Sequence, residues 1–464
     1  MTDFDKIKGF YFVGIGGIGM SAVALYFIKK GFCVAGYDRS DSKITDSLAS
    51  KGCRIDFDDN INAIPELFRN LNEKDKVVVV YTPAISSKYK ILSFFRKNGY
   101  AMLKRSEILG EISANTETIA ISGTHGKTTV STMTAHILKQ SKVDCSAFLG
   151  GVSKNYESNL LLGESAFTVI EADEFDRSFH RLTPTIAAVT SLDADHLDIY
   201  GDRKTMVEAY NIFCGKIRKG GKLVVNKKIQ NEIIVPEGVA CYTYGVENES
   251  DFYAFNIVHS ADGYRFNLKT PSAVFEDIFF PFPGVINIEN FTVASAIALL
   301  CGVEEHEIRK AAMSFQGVRR RFDVRVNLEG ITYIDDYAHH PEEIRAFIKS
   351  IREYFKGRKV TGIFQPHLFT RTRDHADGFA AMLDELDETI LLPIYPAREE
   401  PINGVSSEMI LSRMRSKNKR LLQKEELVNA LDINKIDVLL TIGAGDIDKL
   451  VDPIEEKIRG MAKK

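Results

Sequence analysis

Apolar positions in this chain gather into short unbroken runs, separated by stretches with the spacing of amphipathic helices. The first runs are KGFYFVGIG, GFCVAGYD and KVVVVYTPA. Runs of this length alternating with helical patterns predict a parallel α/β sheet over residues 1–107. A second block, 108–316, opens with the β-branched strand Thr118–Ile121 and a helix carrying Val130, Met133, Ile137 and Leu138 on one face. Its further apolar strands are FTVIEADE and TIAAVTSLD, followed by a β-rich insertion. There Asp262-Gly263, between DFYAFNIVH and YRFNLKT, predicts a hairpin. The third block, 317–464, alternates again through GITYIDD, a helix from Pro341, RKVTGIFQPH, ETILLPIYPA and IDVLLTIGAG. The pattern predicts three α/β domains: an N-terminal Rossmann-like sheet, a central mononucleotide-binding sheet with the β-rich insertion, and a second Rossmann-like sheet. Sites belong at strand carboxyl ends and in clefts.

Composition narrows the function more than the fold. The chain has 464 residues, 44% of them hydrophobic and 27% charged, the make-up of a globular protein. A net charge of −3 argues against a general nucleic-acid binder. No apolar run approaches the ~20 residues that span a bilayer, so no membrane partner is expected. The six cysteines are scattered without a C-x-x-C pair. No signal-peptide pattern precedes the first strand near Lys8, and together these point to a reducing cytoplasm.

The clearest chemistry lies at GTHGKTT, Gly123 to Thr129, between the strand and helix of the second block. The common phosphate-loop pattern places its first glycine where Ile121 stands, so this loop is two residues short. The physics is unchanged: a tight turn into a helix N-terminus aims N–H groups and the positive dipole end at one point. Lys127 adds a cation, and Thr128 offers a hydroxyl to a magnesium ion. Nearby strand ends bring Glu171 and His196, a carboxylate and an imidazole suited to metal ions that bridge phosphates. Asp173 and Asp195 are either outer support or solvated.

Other segments carry weaker signals. GIGGIG, Gly14 to Gly19, opens a helix after a strand, and Asp38 closes the next strand at the spacing of a ribose ligand. That turn fits UDP as well as NAD, which keeps a dehydrogenase reading open. Arg319, Arg320 and Arg321 at the third block's start suit a phosphate clamp or a solvated linker. DDYAHHP follows with Asp335, Asp336, Tyr337, His339 and His340. A Ser-His-Asp hydrolase would need a G-x-S-x-G elbow, which the chain lacks. FQPHLFTRTRD sets Arg371 and Arg373 past another strand end. Arg371 suits a small carboxylate there, or a helix-start pair with Asp374.

Taken in order, GIGGIGMS, GTHGKTT, EADEFD, DADHLDIY, NIEN, GVRRRF, DDYAHHP and FQPH with TRTR resemble the Mur ligase family over nearly the whole chain. The short phosphate loop is that family's own form, and His125 within it resembles the alanine-adding branch. The resemblance implies that ATP phosphorylates the lactyl carboxylate of UDP-N-acetylmuramate and that L-alanine displaces the phosphate. It implies that Gly123, Thr124, His125, Gly126, Lys127, Thr128 and Thr129 cradle ATP, with Lys127 on the transferring group. Thr128, Glu171 and His196 would serve Mg2+. Asn287 and Asn290 would lie on the adenine side, and Arg320 and Asp336 would reach the nucleotide. Tyr337, His339 and Arg371 would face the amino acid or acyl product. Asn159 would hold the muramyl group, with Gly16, Gly17, Gly19 and Asp38 at the uridine diphosphate. Leu368 stands where the family usually has Arg. The murein tripeptide recycling ligase is the nearest relative reading. A monomer or weak dimer is expected.

Overall fold

The computed structural model describes residues 6–82, 85, 89–193, 197–260, 262–397 and 399–461. The chain forms two compact units, Met1–Pro281 with Ile288–Gln316, and Phe282–Asn287 with Gly317–Lys464.

The first unit holds two sheets. The N-terminal sheet has five parallel strands in the order Arg54–Asp56, Cys33–Tyr37, Gly9–Val13, Val77–Tyr81, Ala101–Lys104. Alternate residues of its central strands pack on opposite faces: Phe10, Phe12, Val78 and Val80 on one, Tyr11, Val13, Val77 and Val79 on the other. Both faces are therefore covered, as the unbroken apolar runs require. The first face continues into the next sheet through a single hydrophobic cluster that also contains Phe148, Ile170 and Val189. That shared core is why two sheets behave as one unit.

The second sheet has ten strands among the described residues. Their order is Val274–Phe280, Gly263–Lys269, Phe252–Ser260, Ala240–Val246, Lys222–Asn226, Ile186–Val189, Glu117–Ser122, Phe167–Glu171, Ser146–Ser153, Ser158–Leu161. The expected hairpin forms, with Ser260 opposite Gly263, whose φ of 142° only glycine adopts readily. The β-rich insertion does not stand apart. Its strands extend the same sheet, because Tyr244 pairs in parallel with Phe252 and carries the ladder outward.

The second unit is a six-stranded sheet, ordered Asp323–Leu328, Ile331–Asp336, Val438–Ile442, Val360–Phe364, Glu388–Leu391, Lys419–Leu421. All neighbours are parallel except the first pair. The expected helix begins at Pro341, where proline needs no N–H partner, and Glu343 closes a capping box with His340. Among the described residues no helix is long and apolar enough to cross a membrane.

The phosphate-loop helix, Lys127–Gln140, is anchored within its unit by a buried imidazole. His136 Nδ1 lies 3.1 Å from the Tyr156 hydroxyl and Nε2 lies 2.9 Å from Ser314 Oγ. Burial pushes this imidazole down from 6.5 to about 4. Below pH 6.5 the unfolded chain takes up a proton that the folded chain refuses, so stability falls as pH drops from 6.5 toward 4. Denaturant titrations at pH 7 and pH 4.5 should show wild type losing up to about 3 kcal/mol more than His136→Gln.

Candidate active site

The phosphate loop lies at the carboxyl end of Glu117–Ser122, whose neighbours are Ile186–Val189 and Phe167–Glu171. The strand positions three groups of side chains around the loop.

The loop itself is shaped by Gly123, at φ 135°, and Gly126, at φ 81°. Gly126 is the N-cap of the helix, and no side chain caps it. The first-turn N–H groups of Lys127, Thr128 and Thr129 therefore remain aimed at whatever occupies the turn. The loop leans on the neighbouring strand end. Thr124 N–H donates to Ser191 O at 3.1 Å, His125 N–H donates to Ser191 Oγ at 2.9 Å, and Thr190 Oγ1 donates to His125 O at 2.5 Å. Asp193 N–H donates to Thr124 Oγ1 at 3.0 Å, and Asp193 lies 3.5 Å from the His125 ring.

Lys127 turns back over this loop. Its ammonium donates to Gly123 O at 2.7 Å, Thr124 O at 3.3 Å and Glu174 Oε1 at 2.8 Å. Burial alone would lower its pKa, but Glu174, Asp173 and Glu171 outweigh that and leave it raised, so the lysine is charged. Beside it, Thr128 Oγ1 donates to Glu171 Oε1 at 3.0 Å, while Glu171 Oε2 accepts from Gly150 N–H at 3.0 Å. A hydroxyl and a carboxylate this close form an all-oxygen set that suits Mg2+, which takes few protein ligands beside water and phosphate. Among the described residues no cluster of three or more His, Cys, Asp and Glu could hold a metal. His196 and Asp195 lie outside the described residues.

Asn290, expected on the adenine side, does come to the loop: a Cβ on Gly126 would meet its Oδ1 at 2.9 Å. Asn287, one turn earlier, donates to Pro283 O at 2.6 Å. In the N-terminal sheet, Asp38 accepts from Gly16 N–H and from Arg39 N–H, both at 2.7 Å, so its carboxylate holds the glycine turn. Gly17 is the N-cap of the helix Ile18–Lys29, which no side chain caps. Gly19 has no room for a side chain because the Arg105 guanidinium covers it. Asn159 is buried, its amide donating to Ile18 O and to Ser21 Oγ beneath that same helix turn.

The second unit gathers a separate group. The Tyr337 and His339 rings lie 5.3 Å apart, the His339 and His367 rings 5.9 Å, and Arg371 Nη1 is 3.4 Å from His367 Nδ1. Burial lowers the His339 pKa, against the opposing pull of Glu343. The carboxylate of Asp374 pairs with Arg373 at 2.7 Å rather than with Arg371. Arg320 donates to Asp335 Oδ2 at 3.2 Å and lies over the Tyr337 ring. Asp336 accepts from Phe322 N–H at 2.7 Å and Ala338 N–H at 2.8 Å, yet burial pushes it up to about 6.

Sequence reasoning passed over Glu174, Gly150, Arg105, Ser191 and His367. Glu174 and His367 sit inside motifs that were quoted whole, so the motif was their only signal.

A phosphate loop above a hydroxyl–carboxylate pair, at a parallel sheet's switch point, defines a mononucleotide-binding α/β enzyme. Three domain families match in order: the Mur ligase family, catalytic domain over residues 9–117, the Mur ligase middle domain over 121–298, and the Mur ligase, glutamate ligase domain over 320–445. The UDP-N-acetylmuramate–L-alanine ligase of Parabacteroides distasonis is 49% identical over 98% of each chain. Among solved structures, the UDP-N-acetylmuramate–alanine ligase of Thermotoga maritima is 26% identical and superposes with a TM-score of 0.80, covering 98% of this chain and 100% of that one. The murein peptide ligase of Psychrobacter arcticus, at 21% identity and TM-score 0.70 over 97% of this chain and 98% of that one, shares the fold. The chain belongs to the Mur ligase family.

Gly150 tests the metal reading. A Cβ there would run into the Glu171 carboxylate, so Gly150→Ala must displace it from Thr128. Magnesium titrations of activity should show roughly 10-fold or more weakening, with the fold retained by circular dichroism.

Proposed function

We propose that this chain is an ATP-dependent ligase that joins L-alanine to the lactyl carboxylate of UDP-N-acetylmuramate, a step of peptidoglycan precursor assembly in the cytoplasm. The observation that carries the ATP reading is the Thr128–Glu171 pair beneath an uncapped helix N-terminus beside a charged, largely covered lysine. The curated relatives, 49% identical in the first instance and alike over nearly their whole length, supply the substrates.

In this reading the carboxylate oxygen of the muramate attacks the γ-phosphorus of ATP, and ADP departs. The alanine amine then attacks the acyl carbon, loses its proton, and the tetrahedral centre expels phosphate. The N–H groups from Gly123 to Thr129 hold the ATP phosphates, and Lys127 faces the charge that develops on the transferring group. Thr128 and Glu171, with His196, would hold Mg2+, whose charge would offset that of the phosphates. Asn290 supports the adenine side of the loop, and Asn287 belongs to the same helix. Gly16 and Gly17 leave the N-terminal helix turn open to a diphosphate, Gly19 lets the Arg105 guanidinium lie against it, and Asp38 and Asn159 shape the turn. Residues 1–107 are thus assigned to the UDP substrate, 108–316 to ATP and 317–464 to the amino acid.

Phosphate release should require ATP, UDP-N-acetylmuramate and L-alanine together, and nicotinamide cofactors should have no effect. Lys127→Ala should abolish turnover while keeping the fold, since it removes a transition-state contact of ~3 kcal/mol or more. Near-normal turnover in that variant would make the lysine a bystander, and release supported only by a peptide would move the chain to the tripeptide-recycling branch.

Arg371 is assigned to the alanine carboxylate, beside Tyr337 and His339. A charge-assisted hydrogen bond of ~1.5–3 kcal/mol corresponds to roughly 10- to 150-fold in affinity. Arg371→Ala should raise the KM for alanine within that range and leave the KM for ATP nearly unchanged. A variant altered in stability but not in alanine dependence would overturn the assignment.

A further inference from the structure

Glu174 is the most deeply buried carboxyl group near the loop, its pKa raised by burial against the pull of Lys127, and no step above uses it. Its side chain is 1% exposed, and its Oε1 lies 2.8 Å from the Lys127 ammonium. Two successive residues in the left-handed region, Asp176 at φ 52° and Arg177 at φ 54°, turn the chain just beyond it. Non-glycine residues hold that conformation only where the surroundings impose it. The Tyr200 hydroxyl fixes the same turn by donating to Glu174 O at 2.5 Å.

An ammonium has three donors and no acceptor. All three donors of Lys127 are engaged, by Gly123 O, Thr124 O and Glu174. To grip a phosphate the lysine must release at least one of them. The two carbonyls are fixed in the loop backbone, but the carboxylate sits on a side chain and carries the charge that competes with phosphate.

Resting on the ATP reading of this loop, we propose that Glu174 is a positioning residue that holds Lys127 over the loop and competes with the nucleotide for it. Neither partner can be lost cheaply, because each offsets part of the other's cost of burial. Once phosphate arrives, the lysine already has an anion. Glu174 then adds its negative charge to that of Asp173 and Glu171, which also act on Lys127. The carboxylate therefore opposes nucleotide binding and reclaims the ammonium when product leaves.

The test compares the full-length wild type with Glu174→Gln, which keeps an acceptor and removes the charge. Calorimetric titration with magnesium and a non-hydrolysable ATP analogue should show the variant binding about 10-fold tighter, the lower end for one charge-assisted contact. The KM for ATP should fall while the KM for alanine stays, and the empty variant should melt at a lower temperature. Should Glu174→Gln fail to fold, Glu174→Asp, with its shorter arm, should shift affinity in the same direction by about 3-fold, a fraction of that contact. A purely structural role would lower the melting temperature without tightening binding. If wild type binds the analogue and the variant binds it no tighter, this inference alone is overturned. If wild type does not bind it, the ATP reading falls, and this inference with it.

Discussion

A cation buried under a backbone turn must have an anion within reach, and the first unit is organised around that requirement at Lys127. The lysine turns back over the loop, and only 15% of its side chain is exposed. Its charge survives burial only because Glu174, Asp173 and Glu171 lie close by. Those three carboxylates come from one short stretch at the end of the strand Phe167–Glu171, next to the strand that feeds the loop. Parallel pairing thus does the electrostatic work: it sets the acidic end of one strand against the cationic turn of its neighbour.

The same rule, with different chemistry, governs the second unit. Asp335 and Asp336 end the strand Ile331–Asp336 and are both buried. Asp335 is bonded to Arg320 and the Thr441 hydroxyl, whereas Asp336 accepts from two backbone N–H groups with Arg321 nearby. Burial raises both carboxyls, and pushes Asp336 up to about 6 although Arg321 and two N–H groups favour its charged form. Its carboxylate fixes the turn that leads to Tyr337 and His339 and so orients the side chains assigned to the amino acid.

Much of this was legible in the sequence because it follows from period and punctuation. Unbroken apolar runs predicted a parallel sheet, Pro341 predicted a helix start, and Asp262-Gly263 predicted a hairpin. Thr128 and Glu171 were read as neighbours because the helix after one parallel strand starts beside the carboxyl end of the next. What stayed hidden depends on direction. In EADEFD nothing in the sequence distinguishes an inward Glu174 from an Asp173 that faces Arg105; that is decided by the left-handed turn at Asp176 and Arg177. The Arg371–Asp374 pairing failed for a similar reason. Asp374 is taken by its immediate neighbour Arg373, while Arg371 sits one helical turn from His367 and turns toward it. Leu368 is held at φ 71° at the N-cap of the helix Phe369–Leu383, a strain that no propensity scale would assign to leucine.

The short loop explains why a strict motif search would pass over it. A turn with two fewer residues cannot satisfy its own backbone groups and still leave helix N–H groups facing a ligand. Here the missing support comes from the next strand, through Thr190 and the hydroxyl and carbonyl of Ser191. That support demands close approach. A Cβ on Gly123 would collide with the Thr190 hydroxyl and come within 2.9 Å of Ser191 N. Glycine at 123 is therefore required by the neighbour as much as by its φ of 135°. The functional signature is thus shared between GTHGKTT and the TSLD segment that braces it. A pattern confined to one loop captures only half of the constraint.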